Sequence, residues 1–521
     1  MHTILPIGWQ RKPTDFETGN DTAGTKMTLN EQNRLSEGTL QRLPKQVEQP
    51  KYDRTQVRVG IVHLGIGAFH RAHQAVYTDS ILAGGENSWG ILGVSLRSSD
   101  TRDALEPQDG LYTVATRDGG GDSFHVIGSI GKVLVAPEDP QAVLNAMVDP
   151  EVRIVSLTVT EKGYCYSPAS ASLDENHADI VHDLAHPASP RSAIGFIVEA
   201  LVRRRANGTD PFTLLSCDNL PANGETLKRV VTRFAELRDA DLGHYIRDKA
   251  AFPSTMVDRI VPATTDADRA TVTEATGLAD AWPIMTEPFT QWVVEDHFPS
   301  GRPAWESVGV TFVADVDAFE LMKLRLLNGS HSTLAYLGYL SGHETVSDVM
   351  KAGGFSALIA AMMDKEITPT LPPLPGFDLG TYKAELRERF RNSALRHRTW
   401  QIAMDGSQKL PQRLLNTIRK RLEQEQPFDR LALGVAGWMR YATGVDENGR
   451  PIDVRDPLAN EIRQRTAGKA ASGELLEAYL GLDQIFGQDL PTNNTFRRSV
   501  GDALEMLLRE GAARAVVQLG S

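Results

Sequence analysis

The stretch Val57-Arg-Val-Gly-Ile-Val-His-Leu-Gly65-Ile-Gly67-Ala-Phe-His70-Arg-Ala-His73 decides the fold. Residues 57–64 are an apolar run of the kind that forms a strand buried on both faces. Gly65 and Gly67 then make a turn, and a helix is expected from there to about residue 82. A strand, Gly-x-Gly and a helix is the context of a dinucleotide-binding turn. Glycines admit a pyrophosphate close to the backbone, and the helix start offers free N–H groups. His70 occupies the position of the third glycine, so a plain tight turn stays open. The residues expected to meet a cofactor are Gly65, Gly67, Ala68, Phe69, His70 and Arg71.

Further strand–turn units follow. Trp89-Gly-Ile-Leu-Gly-Val-Ser-Leu leads into Arg97-Ser-Ser-Asp100. An acid after the second strand suits the ribose hydroxyls of NAD, so Asp100 is the candidate. It could equally cap the next helix, and Arg97 could instead meet a phosphate. Residues 153–160 run into Glu161-Lys-Gly-Tyr164, and residues 212–216 into Cys217-Asp218-Asn219. Both put polar groups beyond a buried strand, where open α/β sheets bind ligands; a local turn is the alternative for Asn219. Asp258-Arg259 is a further candidate, with a structural ion pair as its plain reading.

From about residue 316 strand signals give way to long amphipathic helices at 319–340, 355–365, 382–391 and 494–509. The chain therefore reads as an α/β Rossmann-type domain (57–315) followed by a mainly α-helical domain (316–521). A poorly ordered leader (1–56), polar and without hydrophobic period, is expected before them, with Met27 as an alternative start. Two domains suit 521 residues.

The formal charge of -12 disfavours nucleic acid and anionic membranes as partners. Two cysteines, Cys165 and Cys217, give no disulfide framework and no thiolate metal site. No apolar run nears the roughly 20 residues that span a bilayer, and the start lacks a secretory pattern, so a cytoplasmic protein is expected.

Within the helical half, Lys323-Leu-Arg-Leu-Leu-Asn328-Gly-Ser-His331 sets polar groups in an aliphatic run. At about 100° per residue Lys323, Asn328 and His331 fall within roughly a 140° arc, one face of a helix. Buried polar groups need partners or a task. A salt-bridged Lys, a capping Asn and a satisfied core His would be the structural explanation.

Four motifs occur in order: Gly65-x-Gly-Ala-Phe-His-Arg-Ala-His, Ser216-Cys-Asp-Asn219, Met256-Val-Asp-Arg-Ile-Val-Pro and Lys323-x4-Asn328-Gly-Ser-His331. Together they resemble the mannitol dehydrogenase family of polyol-specific long-chain dehydrogenases. Thr158-Val-Thr-Glu-Lys-Gly-Tyr-Cys165, Glu287-Pro-Phe-Thr-Gln-Trp and Met404-Asp-Gly-Ser-Gln-Lys-Leu-Pro-Gln-Arg413 bring it nearer the fructuronate reductase (D-mannonate oxidoreductase) branch. Gln401 stands where mannitol 2-dehydrogenases carry a substrate-holding Arg. The resemblance implies an NAD-dependent, metal-independent oxidoreductase that reduces D-fructuronate to D-mannonate. Mannitol 2-dehydrogenase and tagaturonate reductase are the alternatives.

The resemblance also implies roles. Lys323 is the general acid/base, Asn328 and Asn219 hold the developing oxyanion, and His331 contacts the reacting oxygen. Asp258 receives substrate hydroxyls. A uronate carboxylate calls for cations, for which Arg398 and Lys409 are candidates with Arg413 behind them. Glu320, one helical turn before Lys323, is suited to relay protons.

Overall fold

The computed structural model describes residues 33–167 and 171–520. Its central sheet has five parallel strands in the order Ile130–Val135, Gly90–Ser95, Val59–Leu64, Ile154–Leu157, Thr213–Ser216. The chain works outward on one side of Val59–Leu64 and then crosses to the other. The strand order reverses beside that first strand, which opens a crevice at the carboxyl ends. Val62, Leu64, Val155 and Leu157 are fully buried, as expected of strands covered on both faces.

Beyond the sheet, Thr255–Asp258 pairs with Gln291–Glu295 and then Thr311–Val313. From Asp317 onward every named element is helical. These helices enclose their own core, in which Leu326, Leu334, Leu337, Leu414, Leu433 and Val435 are buried. The Rossmann-type sheet followed by a helical region is the expected fold. No helix of the described residues is long and apolar enough to cross a membrane.

Two expectations need correction. Residues 33–56 are not a poorly ordered leader: Leu35, Leu43 and Val47 are buried against Leu111, Val126 and Leu278. Their backbone is also paired, with Leu35 N–H donating to Ala279 O (3.0 Å) and Glu48 N–H to Phe124 O (2.9 Å). The arm borrows partners from distant segments, so it shows neither a helical nor a strand period. Residues 1–32, Met27 included, lie outside the described residues. The helix after the glycine turn is also divided, into Ala68–Ala72 and Gln74–Ala83, because His73 leaves helical geometry (φ -124°, ψ -88°).

The helix expected at 319–340 is one rod of three parts: Asp317–Met322, a π-helical segment Lys323–Gly329, and Ser330–Leu340. In a π turn each N–H reaches the carbonyl five residues back, and such turns concentrate at functional sites. This widened turn brings Lys323 and Asn328, five apart, nearer to one face than the α-helical angle would. A later π segment, Pro411–Leu415, packs against it. The contact is close at Gly329, where a Cβ would lie 2.8 Å from Arg413 O.

Candidate active site

Lys323 reaches from the rod to the strand ends of the sheet half. Its Nζ donates to Asn219 Oδ1 and to Val257 O, both at 2.6 Å. Both partners are acceptors, so a neutral amine spends its two hydrogens on them and keeps its lone pair free. Burial depresses the Lys323 pKa, because an ammonium loses its hydration; the nearby Asp258 carboxylate opposes that shift. The helical half thus supplies a buried lysine and the sheet half holds it.

The sequence reading missed what aligns these strand ends. Asp218 accepts from Val159 N–H (3.0 Å), Thr160 N–H (2.8 Å) and Tyr164 Oη (2.8 Å), tying two loops together beside Asn219. Asn223 Nδ2 donates to Asp218 O and Thr255 O (3.0 and 2.9 Å), which joins that loop to the strand carrying Val257. Asx turns are common enough in sequences that neither residue stood out.

Asn328 lines the cleft beside Lys323, together with Asn219, His331 and His397. His331 is buried, with His397 edge-on at 4.6 Å and Phe390 at 5.2 Å, and its Nε2 has no protein partner. Burial, with the cations Arg413, Arg389 and Lys409 nearby, pushes its pKa well down, so the ring is neutral. Glu320 accepts from Ala222 N–H (3.1 Å) and borders a chamber behind Lys323; burial raises its pKa.

The glycine turn meets this cleft. A groove of about 480 Å³ runs past Gly65, Gly67, Ser95–Ser98 and Thr158–Thr160, and a cleft of about 530 Å³ continues past Gly67, Ala68 and Phe69 to Lys323. Gly65 sits at φ +92°, and a Cβ there would strike Thr158 O at 2.2 Å, so the turn itself requires glycine. At Gly67 a Cβ would meet nothing nearer than 3.9 Å, so the missing side chain leaves room for a ligand. The shape suits an elongated dinucleotide laid across the strand ends.

Four expected contacts are not brought to this groove or cleft. The His70 ring is buried and stacks on His63 at 3.4 Å. Arg71 is buried and donates to Trp282 O at 2.7 Å. The short helix turns both toward the core. Asp100 is exposed at the start of the helix Asp100–Leu105 and accepts from Ser98 Oγ (2.9 Å); Arg97 and Ser98 border the groove instead. Arg398 has a half-exposed side chain 3.6 Å from Glu344, while its neighbour His397 faces the cleft. Adjacent residues point to different sides, which motif spacing alone does not resolve.

Lys409 and Arg413 do come to the site. Both line the chamber behind Lys323, with Glu161 and Gln412. Lys409 Nζ donates to Ile402 O at 3.4 Å and to Met404 O, and burial lowers its pKa. Arg413 donates to Ser332 Oγ at 3.1 Å and has an unpartnered Nε. Asp258 lines the cleft, but both its oxygens already accept from Arg389, at 2.8 and 2.9 Å. It is therefore first a partner of Arg389.

A parallel sheet with a glycine turn at its switch point, facing a buried lysine on a helical domain, defines a Rossmann-type oxidoreductase of alcohol groups. The family model described as the mannitol dehydrogenase Rossmann domain matches residues 59–307, and that of the mannitol dehydrogenase C-terminal domain matches 315–508. The chain belongs to the mannitol dehydrogenase family.

It is 48% identical over 477 residues to the D-mannonate oxidoreductase of Escherichia coli K12, covering 91% of this chain and 98% of that one. An uncharacterized oxidoreductase of the same organism, YeiQ, is also 48% identical over 477 residues, covering 91% and 97%. The mannitol 2-dehydrogenase of Pseudomonas fluorescens, solved as a ternary complex with NAD and D-mannitol, superposes with a TM-score of 0.84. It is 41% identical, over 93% of this chain and 99% of that chain.

Proposed function

We propose that this enzyme interconverts D-fructuronate and D-mannonate with NAD as cofactor. The observation that carries the choice of a sugar acid is the pair of cations, Lys409 and Arg413, bordering the chamber that Lys323 and Asn328 share with the cleft. A substrate carboxylate fits donors of that kind, since charge-assisted hydrogen bonds to carboxylate are about twice as strong as neutral ones. The 48% identity to a D-mannonate oxidoreductase supports the same reading.

NAD, when bound, supplies the hydride acceptor and in its reduced form the donor. The residues of this chain would handle the proton and the charge. In oxidation the free lone pair of Lys323 takes the hydroxyl proton as the C–H bond breaks; in reduction its ammonium returns the proton to the nascent alkoxide. Asn328 and Asn219 supply carboxamide N–H groups to that oxygen, and the Asn219 amide is oriented by the bond its Oδ1 accepts from Lys323. His331 presents a ring nitrogen with no other protein partner. Glu320, at the chamber behind Lys323, is placed to pass the proton on through water.

The test follows NADH absorbance with purified enzyme, offering D-mannonate and D-mannitol separately, each with NAD and NADP. D-mannonate with NAD is expected to turn over best. The 41% identity to a mannitol 2-dehydrogenase makes D-mannitol the competing substrate, and a preference for it would replace the sugar-acid assignment.

A further inference from the structure

Arg389, on the helix Leu379–Arg391, has its guanidinium buried between two carboxylates of the sheet half. Nη1 and Nη2 donate to Oδ2 and Oδ1 of Asp258 at 2.8 and 2.9 Å. Nε and Nη2 donate to Oε2 and Oε1 of Glu287 at 2.8 and 2.7 Å. The Phe289 ring closes one face, 3.9 Å from the guanidinium carbon. Glu287 Oε1 also accepts Ile260 N–H at 2.6 Å, so the chain just after the strand Thr255–Asp258 is pinned from both sides.

Buried ion clusters of this kind are often no more stabilising than well-packed apolar residues, so stability alone does not account for one beside Lys323. Its position does. Val257, whose carbonyl holds Lys323, immediately precedes Asp258. Without the fork, the Asp258 carboxylate would be a natural partner for the Lys323 ammonium.

We infer that Arg389 is a positioning residue for Lys323: its fork holds Asp258 and Glu287 so that the strand end offers the lysine a neutral carbonyl rather than a free carboxylate. The charges acting most strongly on Lys323 are Asp258 on the strand, Arg389 on its helix, Arg413 on the segment Pro411–Leu415 and Glu320 one turn earlier on the rod, with His73 at the glycine-turn helices. Glu161, Asp218 and Lys409 line the chamber it borders, and Arg259, His331 and His397 line the cleft. Burial keeps His73 neutral. Removing Arg389 takes away one of the two guanidiniums that depress the Lys323 pKa and leaves Asp258 without its direct partner. Arg259, next in sequence, spends its donors on the Ala72 and Glu287 carbonyls.

The inference rests on Lys323 acting as the base, not on which sugar acid or polyol is oxidised. Its test is the pH profile of kcat/KM for oxidation, with whichever of D-mannonate or D-mannitol the wild type turns over. Wild type would be compared with Arg389→Met, Arg389→Lys and Glu287→Gln, with thermal unfolding followed in parallel. Arg389→Met should move the acid limb up by about one pH unit or more, a roughly tenfold loss at a pH on that limb. Arg389→Lys, which keeps the charge, should fall between it and wild type. Glu287→Gln removes a negative charge and leaves Arg389 in place, so it should move the limb the other way.

Variants that lose activity with the limb unmoved, or that move it in one common direction, overturn the inference. If Arg389→Met does not fold, Glu287→Gln decides: a downward shift supports the inference and any other result overturns it. A wild-type profile with no acid limb removes Lys323 as the base, and the inference with it. A wild-type limb that no variant moves overturns the inference alone.

Discussion

Replacing Lys323 by Ala removes the proposed proton acceptor while leaving the π segment that carries it. The side chain makes two hydrogen bonds and no ion pair, and it is enclosed by Asn219, Val257 and Asn328. A positioned general base contributes about 10²–10⁴-fold, or roughly 3–5 kcal/mol in the barrier. The expected loss in kcat/KM for oxidation is of that order, with the cofactor KM little changed because Gly67 lies at the other end of the cleft and Gly65 in the groove beyond it. The variant should also lose the acid limb. A small primary amine added to the buffer should restore part of the rate by entering the vacated slot.

The same substitution has a stability signature. The Lys323 pKa is lower in the folded protein than in the unfolded chain, so between the two values the unfolded chain binds more protons. Wild-type stability should therefore rise as pH climbs from the folded pKa toward about 10.4, and Lys323→Ala should lose that slope. Chemical denaturation at several pH values measures it. Steady-state rates over the pH range supply the kinetic half. Turnover within a few-fold of wild type with an unchanged pH profile would refute Lys323 as the base.

Lys409→Met should raise the KM for D-mannonate by about 10- to 100-fold, the value of a hydrogen bond to a charged group, while sparing any D-mannitol oxidation; equal losses on both substrates would remove Lys409 as a carboxylate ligand. Gly67→Val should fold normally and raise the KM for NAD, since its side chain enters open space in the cleft, whereas Gly65→Ala should lower the melting temperature because its Cβ meets Thr158 O at 2.2 Å. Leu35→Ala, in the arm packed on Leu111, Val126 and Leu278, should destabilise the fold by about 2–5 kcal/mol in denaturant titration; no change would show that the arm does not stabilise the domain.

The parallel sheet and the helical half were legible because their signals are local. Doubly buried strands read as continuous apolar runs, and amphipathic helices as a repeating stripe. Gly65 was legible because a turn at φ +92° packed against Thr158 O admits little else, and Gly67 because a strand, Gly-x-Gly and a helix form a recognisable context. The arm at 33–56 was not. Its three buried apolar residues have no period, and its backbone partners lie at Ala279 and Phe124. His70, Arg71, Asp100 and Arg398 were misplaced for a related reason. A motif gives the neighbourhood of a residue, while the direction of its side chain depends on where short helices start and stop.

By itself the sequence determined the order of elements, the two architectures and the residue types that chemistry at an alcohol carbon needs. Only the tertiary structure decided which of them meet. Lys323 belongs to one half, and its partners Asn219 and Val257 to the other, 104 and 66 residues away. The π turn that brings Asn328 toward the face of Lys323 carries no composition of its own. Arg389 was an ordinary helical arginine until folding set it between Asp258 and Glu287. Hydrogen bonds and desolvation act over a few ångströms in space, and chain position does not encode that distance.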